Sequence, residues 1–335
     1  MKHNIAIVGG GSWGIAVARL LYMNGNRVSI WEFSREDYEK LFSERENKIK
    51  LPGVVIPEEI EIHNDLEKAV EEREIVCLAI PSHTVRDVSG KLNSIGLKPG
   101  TICVNLAKGI EIDTLMRMSE VMDEEIDAVS TSDIVTLSGP SHAEEVARNM
   151  PTSVVAASDK LATAELVRDI FSNQFFRVYS SPDIIGVEMG GALKNIIAIA
   201  AGIADGLGAG DNARGALFTR GLAEISRLGV AMGANPLTFA GLSGLGDLVT
   251  TCISKLSRNR AFGEKIGRGK NLEGALSEMT MVVEGIKTTR AAHSLMEKHG
   301  TEMPIAIQVY EVLFNSKNPQ DALIELMKRD LKSEI

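Results

Sequence analysis

The sequence predicts an α/β protein in which an N-terminal doubly wound parallel sheet is followed by an all-helical C-terminal domain. Three observations carry that reading. Through roughly residue 180, short β-branched runs alternate with helical stretches, the pattern of a parallel sheet covered by helices on both faces. Several of those runs are apolar at nearly every position, as strands buried on both sides are. From Gly186 onward Gly, Ala, Leu, Ile and Met dominate, and apolar residues recur at helical spacing.

The strand candidates, in order, are Ile5–Val8, Val28–Trp31, Ile75–Ala79, Thr101–Asn105, Ile134–Ser138 and Ser153–Ala156, with Phe175–Tyr179 as the last extended run. Ile15–Met23, between the first two, is a helical run. Ser181-Pro182-Asp183 is a Ser-Pro turn ahead of a helix expected to begin at about Asp183. The chain of 335 residues is long enough for about two domains of roughly 150 residues each. The boundary is therefore placed there, giving domains 1–182 and 183–335.

With 44% hydrophobic and 24% charged residues, the composition is that of a globular chain and not a disordered one. Lys and Arg number 36 against 45 Asp and Glu, a net charge of −9 that offers no electrostatic footprint for a nucleic-acid backbone. A local basic pocket for one small anion is compatible with it. Cys77, Cys103 and Cys252 form an odd set without CxxC or metal spacing, which argues against a disulfide framework or a zinc site and fits a reducing cytoplasm. The run Ile5–Val8 is too short for a signal peptide. The longest apolar run elsewhere, Ile196–Ala204, falls below the ~20 residues of a membrane span, so no anchor is expected. The charge-rich stretch Glu67–Glu74 reads as a solvated helix face.

The chemistry concentrates in four places. Gly9, Gly11 and Gly14 fit GxGxxG directly after a strand and before a helix, the Rossmann-type dinucleotide-binding arrangement. There the first glycine makes the turn, the second admits the pyrophosphate, the third packs helix on strand, and helix amides hold the phosphates. Glu32, at the end of the second strand, is placed to accept hydrogen bonds from ribose hydroxyls, which favours NAD over NADP; a polar strand end without that role is the other reading. The second place is Asn105-Leu106-Ala107-Lys108-Gly109, together with Ser138-Gly139-Pro140-Ser141-His142-Ala143, at strand ends where open α/β sheets bind ligands. His142 has no acid partner visible in sequence and reads as a packing or loop residue. The third is Lys194, alone in a helical run of small and apolar residues. A lysine is seldom buried without reason, and desolvation moves an ammonium toward acid–base work. Its alternative is an outward, snorkelling side chain. The flanking Gly190, Gly191 and Ala192 let another backbone or a cofactor come close. The fourth is Gly244–Thr251 with Ser257-Arg258-Asn259. Ser257 is a candidate helix cap, Arg258 and Asn259 would face a phosphate, and Asp247 would either cap or hydrogen-bond and orient Lys194.

These motifs in this order resemble the bacterial NAD(P)-dependent glycerol-3-phosphate dehydrogenases over nearly the whole chain. GGGSWG (9–14), LPGV (51–54), IPSH (80–83), LAKG (106–109), SGPSHAEE (138–145), VEMGGALKNIIAIAAGI (187–203), GLGDL (244–248), SRNRAFG (257–263) and VVEG (282–285) carry the resemblance. It implies reversible reduction of dihydroxyacetone phosphate to sn-glycerol 3-phosphate, the glycerophospholipid backbone, in a cytoplasmic homodimer that needs no metal. It further implies Lys194 as the proton-transfer residue and Lys108 in contact with substrate and cofactor. Gly139, Ser141, Asp247, Ser257, Arg258 and Asn259 are implied in the substrate site. Ser12, Trp13, Ala143, Arg258, Val282 and Glu284 are implied at dinucleotide positions. Phe33 stands where many members carry His or Arg, which with Glu32 supports NAD and leaves NADP as the second cofactor. A two-domain reductase of another hydroxy acid, or a dinucleotide sensor without turnover, would share the first motif. The other reductase would call for a carboxylate clamp or a catalytic cysteine, and Cys252 lies in no nucleophile setting; the sensor would have no reason to keep Lys194, Asp247 and Arg258 together.

Overall fold

Ile5 and Ile7 of β1 (Asn4–Val8) lie in the core on one face of a sheet, and Ala6 and Val8 in the core on the other, all four fully buried. Side chains alternate across a strand, so a strand that is apolar throughout must be covered twice. Helices Ser12–Met23 and Leu161–Phe171 cover the first face; Leu66–Val70, Val85–Ile95 and Met118–Glu125 cover the second. The computed structural model describes all residues except 1, 332 and 335. Its further strands are β2 (Arg27–Trp31), β3 (Glu61–His63), β4 (Ile75–Leu78), β5 (Ile102–Asn105), β6 (Ile134–Ser138), β7 (Thr152–Ala157) and β8 (Phe176–Ser181). They form one sheet in the order β3-β2-β1-β4-β5-β6-β7-β8. The order reverses between β1 and β4, and the carboxyl ends there form the crevice at which such sheets bind ligands.

Two features correct the sequence-based expectation. The sheet is not wholly parallel: β7 is antiparallel to β6 and parallel to β8, so the last two strands oppose the other six. After β6 the chain passes through the short helix Ala143–Ala147 and returns directly, without the crossover a parallel neighbour requires. Apolar runs report burial and carry no information about direction. The second feature is β3, an edge strand of three residues in which Ile62 alone is buried, too short and too polar to stand out in sequence.

The chain packs as two units, one comprising residues up to Lys108 with Met116–Glu188, the other Gly109–Leu115 with the chain from Met189 onward. The second unit is helical. Its principal helix, Ile184–Leu207, begins in the first unit; it has 24 residues, enough to cross a membrane by length and apolarity, yet 89% of its most apolar window is buried inside the protein, as a core helix is. Gly202 and Gly263 let this helix touch helix Arg258–Gly267 backbone to backbone: a Cβ at Gly202 would lie 2.0 Å from the Arg260 carbonyl oxygen.

Glu224, on helix Gly210–Ala231 and only 4% exposed, caps another helix from a distance. Its carboxyl accepts from the amides of Ile305 (2.8 Å) and Ala306 (3.2 Å), at the start of helix Pro304–Phe314. Burial raises its pKa from 4.5 to about 7. A carboxyl so shifted contributes stability that is complete below the unfolded value and lost as the pH rises through about 7. Glu224→Gln keeps an acceptor and cannot ionise. In urea unfolding it should gain on the wild type between about pH 5 and pH 8 by on the order of 1–3 kcal/mol. A difference that does not vary with pH would show that Glu224 ionises like an exposed carboxylate.

Candidate functional site

In the sheet unit, the glycine loop closes the β1 end against β4. Gly9 has φ +121°, and a Cβ there would come within 2.5 Å of the Ala79 carbonyl oxygen; a Cβ on Gly14 would meet the Gly9 oxygen at 1.9 Å. The loop is thus tight at its two ends. Gly11 differs, since an added Cβ would meet nothing within 4 Å. It is the cap residue of helix Ser12–Met23 and leaves open space before the first amides of that helix, where Ser12 and half-buried Trp13 lie. This is the cradle a pyrophosphate needs, so the residues present fit a dinucleotide.

Glu32 follows β2 and is 8% exposed. Its Oε1 accepts from the Ser34 amide at 3.0 Å, and a Cβ on Gly10 would lie 2.6 Å from its Oε2, so the carboxyl lies directly against the glycine loop. Burial raises its pKa, opposed by the Ser34 amide and Lys50. Phe33 is 72% exposed and edge-on to Trp31.

At the ends of β5 and β6 the structure brings Lys108, Gly139 and Ser141 together. The Gly139 carbonyl accepts from Lys108 Nζ at 3.0 Å and from Ser141 Oγ at 3.1 Å. Ala143 is buried at the start of its helix, which His142 precedes as cap residue.

In the helical unit, Lys194 is 6% exposed and does not snorkel. Its Nζ donates to Asp247 Oδ1 and, at 2.7 Å, to Thr251 Oγ1, which itself donates to Asp247 Oδ1 at 3.2 Å. Asp247 and Thr251 stand one turn apart on helix Asp247–Ile253 and so share a face. Gly190 stands one turn before Lys194 on the same side of its helix. A Cβ there would be 2.6 Å from the Ser243 carbonyl oxygen, so glycine lets the π-helical turn Leu242–Gly246 settle onto the helix and deliver Asp247. Such π turns concentrate at functional sites.

Ser257 caps helix Arg258–Gly267, accepting from the Arg260 amide at 3.2 Å. The amides of Arg258 and Asn259 have no carbonyl within the helix to bond. Arg258 is exposed and its Nη1 donates to the Val282 carbonyl at 3.1 Å, which joins two predicted cofactor positions. Glu284 opens helix Glu284–His299 two residues on. The Asn259 side chain is engaged at both ends, donating to Asn195 Oδ1 (3.0 Å) and accepting from the Gly285 amide (2.9 Å).

The sequence alone gives no role to Thr251 or Asn195. Thr251 had a usable signal, a hydroxyl at i+4 from Asp247. Asn195 was a second polar residue in an apolar helix. The three cysteines are buried and unpaired, with burial pushing Cys103 and Cys252 up to about 12, which disfavours their thiolate forms near neutral pH. Among the described residues no three His, Cys, Asp or Glu side chains cluster as a cation site.

Residues 4–164 match the pattern of the NAD-dependent glycerol-3-phosphate dehydrogenase N-terminus, and residues 183–324 that of its C-terminus. A protein of Thermoanaerobacter sp. (strain X514) named glycerol-3-phosphate dehydrogenase (NAD(P)+) is 53% identical, over 99% of this chain and 98% of its own. One from Pelotomaculum thermopropionicum with the same name is 52% identical, over 100% and 96%. The crystal structure of glycerol-3-phosphate dehydrogenase from Coxiella burnetii superposes with a TM-score of 0.93 at 38% identity, covering 98% of this chain and 99% of that one. With the glycine cradle and the buried lysine already in place, these matches establish that the chain belongs to the NAD-dependent glycerol-3-phosphate dehydrogenase family.

Proposed function

We propose that the chain reversibly reduces dihydroxyacetone phosphate to sn-glycerol 3-phosphate, with Lys194 giving the proton in reduction and taking it back in oxidation. The observation that carries this reading is the buried Lys194 ammonium held by Asp247 and Thr251. When bound, the nicotinamide supplies or accepts the hydride at C2. Lys194 delivers the proton to the C2 oxygen as negative charge develops there, so hydride and proton together saturate the carbonyl. Asp247 favours the cationic form of the lysine, and Thr251 fixes its direction. Lys108, the Gly139 backbone and Ser141 line the substrate, with Lys108 also touching the cofactor. The Arg258 guanidinium and the first-turn amides after Ser257 receive the phosphate. Asn259, tied to Asn195 and Gly285, acts by holding that turn in place. On the dinucleotide side, Gly9, Gly11, Ser12, Trp13 and Gly14 cradle the pyrophosphate, and Ala143, Val282 and Glu284 complete the contacts.

NAD is the preferred cofactor. A 2′-phosphate would meet the Glu32 carboxyl, and Phe33 offers it no cation. No metal is required, because ammonium and guanidinium groups supply the positive charge. A cytoplasmic homodimer supplying glycerophospholipid synthesis is the setting the resemblance supports.

NADH oxidation at 340 nm should depend on dihydroxyacetone phosphate and fail with unphosphorylated dihydroxyacetone. NADH should outperform NADPH in kcat/KM, and Glu32→Ala should narrow that ratio; equal use of both cofactors by the wild type would remove Glu32 from cofactor choice. Lys194→Ala should abolish turnover while NADH binding, followed by fluorescence titration, persists. Near-normal turnover in that variant would take Lys194 out of the mechanism. Arg258→Ala should raise the KM for dihydroxyacetone phosphate on the order of a hundredfold, the loss of about 3 kcal/mol for a charge-assisted contact. An unchanged KM would place the phosphate elsewhere.

A further inference from the structure

Glu188, 6% exposed, carries the most heavily bonded carboxylate among the described residues of the sheet unit, and no step above uses it. Its Oε2 accepts from Arg117 Nη1 and from Ser119 Oγ, each at 2.6 Å. Its Oε1 accepts from the Ser119 amide (2.9 Å), Thr136 Oγ1 (3.1 Å) and Asn105 Nδ2 (3.2 Å). A buried ion pair is weak evidence of stabilisation, since apolar residues of the same volume often serve as well. What a carboxylate imposes is direction. It only accepts, so Asn105 must face it with its NH2 group.

That leaves Asn105 Oδ1 turned toward its own loop, where it accepts from the Ala107 amide at 2.9 Å, while Nδ2 also reaches the Ala107 carbonyl at 3.2 Å. The two bonds bracket Ala107, the residue immediately before Lys108. Asn105 ends β5, and its register partner on β6 is Thr136, the other strand residue on Glu188. The loop after β5 carries Lys108; the loop after β6 carries Gly139, whose carbonyl receives the Lys108 ammonium. One carboxylate therefore holds the strand ends on both sides of the Lys108–Gly139 contact.

We propose that Glu188 is a positioning residue for Lys108, acting through Asn105. This rests on the reading that Lys108 touches substrate and cofactor. The test is a pair of double-mutant cycles on the full chain, read as KM and kcat for dihydroxyacetone phosphate with NADH. The variants are Glu188→Gln, Asn105→Ala, Lys108→Ala, and each of the first two combined with the third. Glu188→Gln sets an NH2 donor against Arg117 or Asn105. Asn105→Ala leaves the other donors on Glu188 and decides the question should the glutamine variant not fold.

Each single variant should lose on the order of ten- to a hundredfold in kcat/KM, chiefly through KM, as misplaced binding groups do. With Lys108 already alanine, the same substitutions should cost less than about twofold. Losses that multiply in the double variants would overturn the proposal, as would normal kinetics for Glu188→Gln and Asn105→Ala. Normal kinetics for Lys108→Ala would overturn the reading of Lys108 itself and the proposal with it.

Discussion

An ammonium that is 6% exposed has lost its water, and the structure around Lys194 has to replace it. Removing one partner from a buried pair of this kind costs about 3–5 kcal/mol, a large part of the ~5–15 kcal/mol that separates folded from unfolded domains. The local arrangement around Lys194 meets that requirement. Asp247 and Thr251 must share a helix face, that helix must start from a turn able to approach closely, and the approach is possible because Gly190 has no side chain. The same contacts fix the Lys194 side chain in place. On the proposed function, preorganised charge of this kind would stabilise a transition state without a reorganisation cost at the moment of reaction.

The sheet unit solves a related problem with the opposite sign of charge. Glu188 is compensated by donors from the segments around Arg117, Asn105 and Thr136, which binds the ends of β5 and β6 to one point. Strand interiors are fixed by ladder bonds and apolar packing, but the loops leaving them are not. A buried carboxylate with several donors extends the rigidity of the sheet by two or three residues, as far as Lys108 and Gly139. The glycine loop reaches the same end differently, through backbone contacts so close at Gly9 and Gly14 that only one geometry fits.

How much of this was visible in the sequence depended on whether a residue's meaning was local. The glycine loop, the Ser257 cap and the anomalous Lys194 were legible because each departs from its immediate surroundings in a way that one turn or one helix explains. The Lys194–Asp247 contact was readable as one of two alternatives, because a lone buried cation needs an anion and the glycine-rich turn supplied a candidate. Thr251 and Asn195 were present in the motifs without a role, since their function depends on which helix face points where. Glu188 stands in one of the motifs without a role, and its pairing with Arg117, 71 positions away just ahead of another helix, leaves no mark in the sequence. The antiparallel pairing of β7 was hidden for another reason: a strand buried on both faces looks the same in either direction, and direction is set by the path of the connection.

A chain with net charge −9 that handles a dianionic phosphate has its long-range field against it. That field is screened within about 8 Å at physiological ionic strength, so recognition rests on what stands within a few ångströms of the ligand. On the proposed function the balance there is reversed: Lys108 would act from a strand end, Arg258 from the start of a helix, and Lys194 with its counter-charge built into the fold. Many of the acidic residues stand in exposed pairs such as Glu36 with Lys40 and Asp87 with Lys91, worth little individually. Glu32 is a carboxyl kept beside the glycine loop, where on the proposed function its charge and bulk would act against a second phosphate on the ribose while its oxygen suits a hydroxyl. On the proposed function, local placement of a few charges, and not the sign of the whole, is therefore what would let an acidic protein take a phosphorylated substrate while favouring NAD over NADP.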